Sequence, residues 1–360
     1  MKITELEIKN FRNYNYAKIS LDSKLNILVG NNAQGKTNLL ESIFLLALGK
    51  SPRVNKDKDL VKWDKESSNI KLTIQKEVGN TYIEIKLFKQ GKKVILINGI
   101  PIKKISELFG VLNVIYFFPD DLKLIKESPS ERRKFMDMDI CQASKQYFYL
   151  LSRYLRILNQ RNKLIKTTKD INTLKDAICI WDEQLADTAS KIILSRIKFI
   201  NKLAPKVENC HHYLTGNDEK LNLSYVGVTG DTSKEIKDKL LESYKQTLEK
   251  DFELGYTTIG PHRDDLKITL DDIDLRTFGS QGQQRTASLS LKLAEIDTFK
   301  AETSETPILL LDDVLSELDD IRQKKLIEVA GKVQTILTCT SFDFNVKCKK
   351  FKIENGSVLD

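Results

Sequence analysis

The sequence lacks any pair of cysteines at metal-ligand or redox spacing. Cys141, Cys179, Cys210, Cys339 and Cys348 are scattered through 360 residues with no C-x-x-C. That argues against a zinc site and predicts a reducing compartment. Histidine is scarcer still: there are three, and the adjacent His211-His212 makes no metal motif. No apolar run approaches the ~20 residues needed to span a bilayer, so a membrane-embedded role is not expected. The opening Met1-Lys2-Ile3-Thr4-Glu5-Leu6-Glu7-Ile8 alternates like a strand and lacks a signal peptide's apolar core. A cytoplasmic protein is expected. The rest of the composition is ordinary, at 41% hydrophobic and 30% charged with 7 Pro and 16 Gly. The length suits two domains, or one large domain with an insertion.

What is present begins with Gly30-Asn31-Asn32-Ala33-Gln34-Gly35-Lys36-Thr37, which fits G-x-x-x-x-G-K-[ST] at every fixed position. Leu25-Asn26-Ile27-Leu28-Val29 reads as a buried strand leading in. Leu39, Leu40, Ile43, Phe44 and Ala47 then recur at helical spacing. A glycine-rich turn arising by chance would not carry both flanks. Two glycines let the backbone curl its N–H groups onto a phosphate, and the following helix points its positive end at the same anion. Lys36 would reach the β- and γ-phosphates, and the Thr37 hydroxyl would ligate Mg²⁺. The candidate nucleotide contacts are Gly30, Asn31, Asn32, Ala33, Gln34, Gly35, Lys36, Thr37 and the adjoining Asn38, for ATP or GTP.

Two later segments add to this. Pro307-Ile308-Leu309-Leu310-Leu311 is a continuous apolar run ending in Asp312-Asp313, as expected of a central parallel strand. Asp312 suits Mg²⁺, and Asp313 suits orienting the water that attacks the γ-phosphate. Upstream, Ser280-Gln281-Gly282-Gln283-Gln284 opens a helix expected over 283–298. Backbone N–H groups, a helix dipole and the Ser280 hydroxyl suit a second γ-phosphate clamp. A plain helix cap is the competing reading.

Between these segments the character changes. Residues 70–75, 81–88 and 93–98 read as an antiparallel meander closed by the turn Asn98-Gly99. Ser128, Pro129 and Glu131 mark a helix start. From about 136 to 250 long helices are expected. Leu174, Ile178, Trp181, Leu185 and Ile192 form a heptad-compatible seam. Ile193, Ile197 and Ile200 extend its stripe until Pro205, where it is expected to stop. One strand is expected over 221–228. Net charge is +8, and residues 140–169 contain seven basic residues and no acidic one, with Tyr147, Phe148, Tyr149 and Tyr154 interleaved. Lys145, Arg153, Arg156 and Lys163, with Arg132 and Arg133, are the candidate DNA contacts by electrostatics. The same stripe also reads as a solvated helix face.

Phosphate loop, S-Q-G-Q-Q, L-L-L-D-D and Ser316-Glu317-Leu318-Asp319, in that order, resemble the ABC-type ATPase heads of the SMC group. Phe118-Pro119-Asp120-Asp121-Leu122, Pro129-Ser130-Glu131-Arg132-Arg133, Gly260-Pro261-His262-Arg263-Asp264-Asp265 and Ser280-Gln281-Gly282-Gln283-Gln284-Arg285-Thr286 narrow the resemblance to the RecF family. The opening Leu6-Glu7-Ile8-Lys9-Asn10-Phe11-Arg12-Asn13-Tyr14 is similar too. The resemblance implies an α/β fold: an ABC-type P-loop ATPase head, mixed central sheet plus antiparallel subdomain, with an inserted helical arm. Residues 1–135 and 251–360 would be the head's halves and 136–250 the arm. It also implies ATP as nucleotide, slow hydrolysis and an ATP-dependent homodimer in which Ser280, Gly282 and Gln283 contact the partner's nucleotide. Ser316 and Asp319 would form the D-loop. DNA, single-stranded and at single–double-strand junctions, would be the substrate, and RecO and RecR the partners in recombinase loading and SOS induction. Asp313 stands where ABC ATPases generally carry glutamate, an aspartate that RecF-like proteins share. The strand expected over 335–339 runs into Thr338-Cys339-Thr340 without a switch histidine. Three other readings compete. A transporter subunit would place S-Q-G-Q-Q much nearer the phosphate loop. An SMC-like tether would need a longer seam, and a small-molecule kinase leaves S-Q-G-Q-Q unexplained.

Overall fold

The computed structural model describes residues 1–77, 79–216 and 219–359, the side chains of Pro119 and Asp120 excepted. The chain packs as two compact units. One comprises Met1–Asp121, Tyr213–Gly216 and Leu289–Asp360; the other comprises Leu122–His212 and Asn217–Ser288. These breaks differ from the expected 135/136 and 250/251. The reason is the packing of the helix Pro129–Ala143 on the helix Lys145–Thr167 and on the strand Asp265–Leu270. An Arg132–Asp265 ion pair joins the same segments.

The first unit holds two six-stranded sheets. One is antiparallel, ordered Tyr14–Ser20, Lys2–Phe11, Ser67–Lys76, Gly79–Phe88, Val94–Ile97 and Ile100–Pro101. Its last strands are the expected meander, with Pro101 on the edge, where a missing N–H does no harm. The other sheet is ordered Ser357–Leu359, Lys349–Glu354, Leu25–Val29, Thr335–Cys339, Ile308–Asp312 and Val114–Phe117. All its pairs are parallel except the terminal hairpin. Ile308–Asp312 and Thr335–Cys339 are buried at every residue, as continuous apolar strands covered on both faces must be. Parallel strands align their C-terminal ends, which brings Val29 and Asp312 to one edge.

The second unit is mostly helical: Pro129–Ala143, Lys145–Thr167, Ile171–Thr215 up to His212, and Ser233–Leu254. A three-stranded antiparallel sheet of Leu221–Val226, Asp265–Leu270 and Ile273–Asp274 accompanies them. Of the expected seam, Leu174, Ile178, Leu185 and Ile192 are buried, and Trp181 is half-buried. Pro205 does not end the stripe. The 45-residue helix runs through it, and Leu203, Val207 and Leu214 keep the apolar face buried on both sides. The carbonyl that Pro205 cannot serve belongs to Asn201, an exposed residue, so the lost bond falls on the solvent side of the helix and not in the core. Among the described residues no helix is long and apolar enough to cross a membrane.

Candidate nucleotide site

The buried strand Leu25–Val29 delivers the loop directly to the start of the helix Lys36–Leu48. Within the loop Ala33 (φ 63°) and Gly35 (φ 114°) adopt left-handed conformations, which turn successive N–H groups to one side. The helix has no side-chain cap and no acidic residue in its first turn. Its first amides and its positive end are therefore left for an anion from outside the helix. Lys36 is buried, and its Nζ donates to the carbonyls of Gly30 and of Asn31, the latter at 2.9 Å. Asn32 through Asn38 line a cleft of about 290 Å³ together with Arg53, Asp312, Asp313 and Thr338.

Asp312 closes the far side. Its carboxylate accepts from Thr37 Oγ1 at 2.9 Å, Thr338 Oγ1 at 2.8 Å and Tyr116 Oη at 3.3 Å. Burial nevertheless pushes its pKa above the ordinary value, against the pull of those hydroxyls. A buried carboxylate held beside a threonine hydroxyl fits a Mg²⁺ site completed by phosphate oxygens. Asp313 lines the same cleft at φ 51°, and its N–H donates to Thr338 Oγ1 at 2.9 Å. At this strand end a threonine hydroxyl ties both aspartates.

Sequence reading missed Arg53, Tyr116 and Thr338. It also missed Glu41, fully buried in the phosphate-loop helix. Glu41 receives Arg12 at 2.7 and 2.9 Å and Ser51 at 2.6 Å, with Arg53 Nη1 at 3.5 Å. Arg53 also donates to Asn38 Oδ1 at 3.0 Å, while Asn38 Nδ2 donates to Asn13 Oδ1 at 2.8 Å. The one available signal was a glutamate amid a mostly apolar helical run, which demands cationic partners.

In the second unit, Ser280 and Gln283 make a reciprocal capping box. Ser280 N–H donates to Gln283 Oε1 at 3.0 Å, and Gln283 N–H donates to Ser280 Oγ at 3.2 Å. Gly282 is exposed, and among the described residues a Cβ there would meet nothing within 4 Å. In the first unit, Ser316 Oγ donates to the Asp313 carbonyl at 2.7 Å. Asp319 caps the helix Asp320–Ala330 by accepting from Arg322 N–H at 2.9 Å, a bond that holds its pKa down.

The basic residues separate into two kinds. Lys145, Arg153, Arg156 and Lys163 are exposed on the helix Lys145–Thr167. Arg132, expected to face DNA, is withdrawn. It is buried, donates to both Asp265 oxygens at 2.7 and 2.9 Å, and reaches the Glu127 carbonyl. Arg133 is half-buried, with one nitrogen 2.9 Å from the Asp264 carbonyl. The helix reads both ways because Arg161, on the same stripe, is fully buried between Asp182 and Asp251.

This arrangement has relatives. Residues 2–351 match the RecF/RecN/SMC N terminal domain family. The DNA replication and repair protein RecF of Clostridium acetobutylicum is 48% identical over 370 aligned positions, covering 100% of both chains. The chain belongs to the RecF family. A solved structure of the recombination mediator protein RecF-ATP in the RecFOR pathway superposes with a TM-score of 0.90 at 36% identity, covering 99% of this chain and 96% of that one. An Smc head bound to the C-terminal winged-helix domain of ScpA superposes at 0.58 with 16% identity, covering 99% and 96%, and shares the fold alone. The fold is thus an ABC-type ATPase head of the SMC group.

Proposed function

We propose that this RecF-family chain is an ATP-operated, DNA-binding switch of DNA replication and recombinational repair. The observation that carries the nucleotide reading is an uncapped helix start beside a left-handed loop, faced by a buried carboxylate. ATP phosphates would lie on amides 31–38, and Lys36 Nζ would exchange two loop carbonyls for phosphate oxygens. Mg²⁺, held by Thr37 and Asp312, would neutralise charge on the phosphates. Asp313 would orient the attacking water, one methylene further back than a glutamate, which suits slow turnover.

Gly282 supports a site shared between two copies. Among the described residues no neighbour crowds that exposed position, so its backbone is open to a second copy. Ser280, Gly282 and Gln283, with Ser316 and Asp319, would close on the partner's nucleotide, making ATP the glue and hydrolysis the release. In this reading residues 136–250 are an arm inserted between the halves of the head. Lys145, Arg153, Arg156 and Lys163, with the partly exposed Arg133, would neutralise phosphates of single-stranded and junction DNA. The relatives are named DNA replication and repair protein RecF and a recombination mediator of the RecFOR pathway; in this reading RecO and RecR would act beside the chain in recombinase loading. SOS induction and a cytoplasmic location would follow.

The test is sedimentation with and without Mg-ATP and a gapped DNA. Wild type is expected to dimerise with ATP, and Lys36→Arg is expected to stay monomeric. Ser280→Arg is expected to bind nucleotide yet neither dimerise nor hydrolyse. A monomer with full turnover would sink the reading.

A further inference from the structure

The C-terminal hairpin of Lys349–Glu354 and Ser357–Leu359 grips the phosphate loop through its turn. Gly356 N–H donates to the Gln34 carbonyl at 3.0 Å, and Asn355 N–H donates to Gln34 Oε1 at 2.6 Å. Asn13 Nδ2 donates to the same Gln34 carbonyl at 3.0 Å. Both acceptor positions of that carbonyl are therefore filled. Asn13 is itself fixed, by Asn38 Nδ2 on its side chain at 2.8 Å and Lys62 Nζ on its carbonyl at 3.1 Å. Clearance is minimal. A Cβ on Gly356 (φ 69°) would lie 2.6 Å from the Asn13 carbonyl oxygen, and one on Gly30 would strike the carbonyl of Ile353.

The consequence follows from peptide geometry. In a trans peptide, C=O and N–H point in opposite directions. Fastening the Gln34 carbonyl to the hairpin and Asn13 therefore aims the Gly35 N–H the other way. It also keeps a repulsive carbonyl from rotating toward an incoming anion. We infer that the Asn355-Gly356 turn and Asn13 are positioning groups that preset the phosphate loop for nucleotide. This rests on the nucleotide reading above. Preorganisation of this kind acts on affinity, because the loop is ordered before the ligand arrives.

The fold supplies its own control. Asn98-Gly99 is a second hairpin turn with the same left-handed pair, φ 51° and 80°, against 49° and 69° at Asn355-Gly356. Among the described residues, a Cβ on Gly99 would meet nothing within 4 Å. Gly356→Ala and Gly99→Ala thus carry similar backbone strain, but only the first presses on Asn13. The readout is the Kd of a fluorescent ATP analogue with Mg²⁺ on the full chain. Gly356→Ala should weaken binding about tenfold, and Gly99→Ala should stay within about twofold of wild type. Equal losses in the two variants, or wild-type affinity in Gly356→Ala, would overturn the inference. Should Gly356→Ala not fold, Asn13→Ala decides: it removes the second donor to the Gln34 carbonyl from a residue outside the cleft and should weaken binding about threefold. An undiminished Kd there is equally fatal. A wild type that does not take up the analogue defeats the nucleotide reading itself, and the inference with it.

Discussion

Arg161 carries its charge with no exposed side-chain surface, held by Asp182 at 2.6 Å, Asp251 at 2.7 Å and Thr257 at 2.8 Å over the ring of Tyr244. Removing it strands carboxylates, one of them wholly buried, so Arg161→Ala should cost about 3–5 kcal/mol in urea unfolding. A loss below about 1 kcal/mol would mean the aspartates find other partners. His262 makes a second residue-scale prediction. Its Nε2 lies 3.0 Å from the Thr257 carbonyl, which can only accept, so Nε2 carries the hydrogen and Nδ1 accepts from Tyr154 at 2.6 Å. Burial lowers its pKa from 6.5 to about 4. The unfolded chain therefore takes up a proton near pH 6.5 that the folded chain refuses until about pH 4. Stability is lost as pH falls through that window, by roughly 3 kcal/mol for this group. His262→Gln should flatten that part of the stability–pH curve, and an unchanged slope would refute the assignment. Gly260-Pro261-His262-Arg263-Asp264-Asp265 is thus absorbed largely into packing. The Pro261 carbonyl receives Arg196 at 2.6 Å, and Asp265 receives Arg132.

Among elements, the helix Ile171–Thr215 shows tertiary packing overriding a local rule. Proline costs about 3 kcal/mol inside a helix, yet here it stands exposed while the opposite face stays buried. Pro205→Ala should raise stability by about 1–3 kcal/mol, read as a higher thermal midpoint. A lower midpoint would show that the proline fits a bend the packing requires. The helix Gln281–Thr303 shows the reverse case, a local rule obeyed. Ser280 and Gln283 form the box their spacing announces, and Ser280→Ala should cost about 1 kcal/mol even without nucleotide. The cap and the proposed clamp use the same hydroxyl, so sequence spacing alone could not separate them.

For the whole molecule, the relevant variables are charge and partners. Charge reversal at Arg153, Arg156 and Lys163 should weaken DNA binding and lower the slope of log K against log salt by about 2. An unaltered slope would return the stripe to solvent. The contrast between exposed Arg153 and buried Arg161 is the reason such stripes resist reading. Both are arginines on one helix, and only the packing of Asp182 and Asp251 around one of them makes the difference.

The sequence by itself determined the strand, loop and helix over residues 25–48, the buried strand that ends in two aspartates, and the order of the motifs. Each is a local pattern whose residues are bonded neighbours or lie one helical turn apart. It also foretold the antiparallel meander, because strand alternation is local. Only the tertiary structure decided what depends on distant chain segments meeting. Thr338 bridges the two aspartates, Glu41 gathers Arg12 and Arg53, Arg132 is withdrawn from solvent, and residues 355–356 close on residue 34. Such contacts join positions up to hundreds of residues apart, and no periodicity encodes them. They are set by which side chains compete for the same buried donors and acceptors once the sheets have formed.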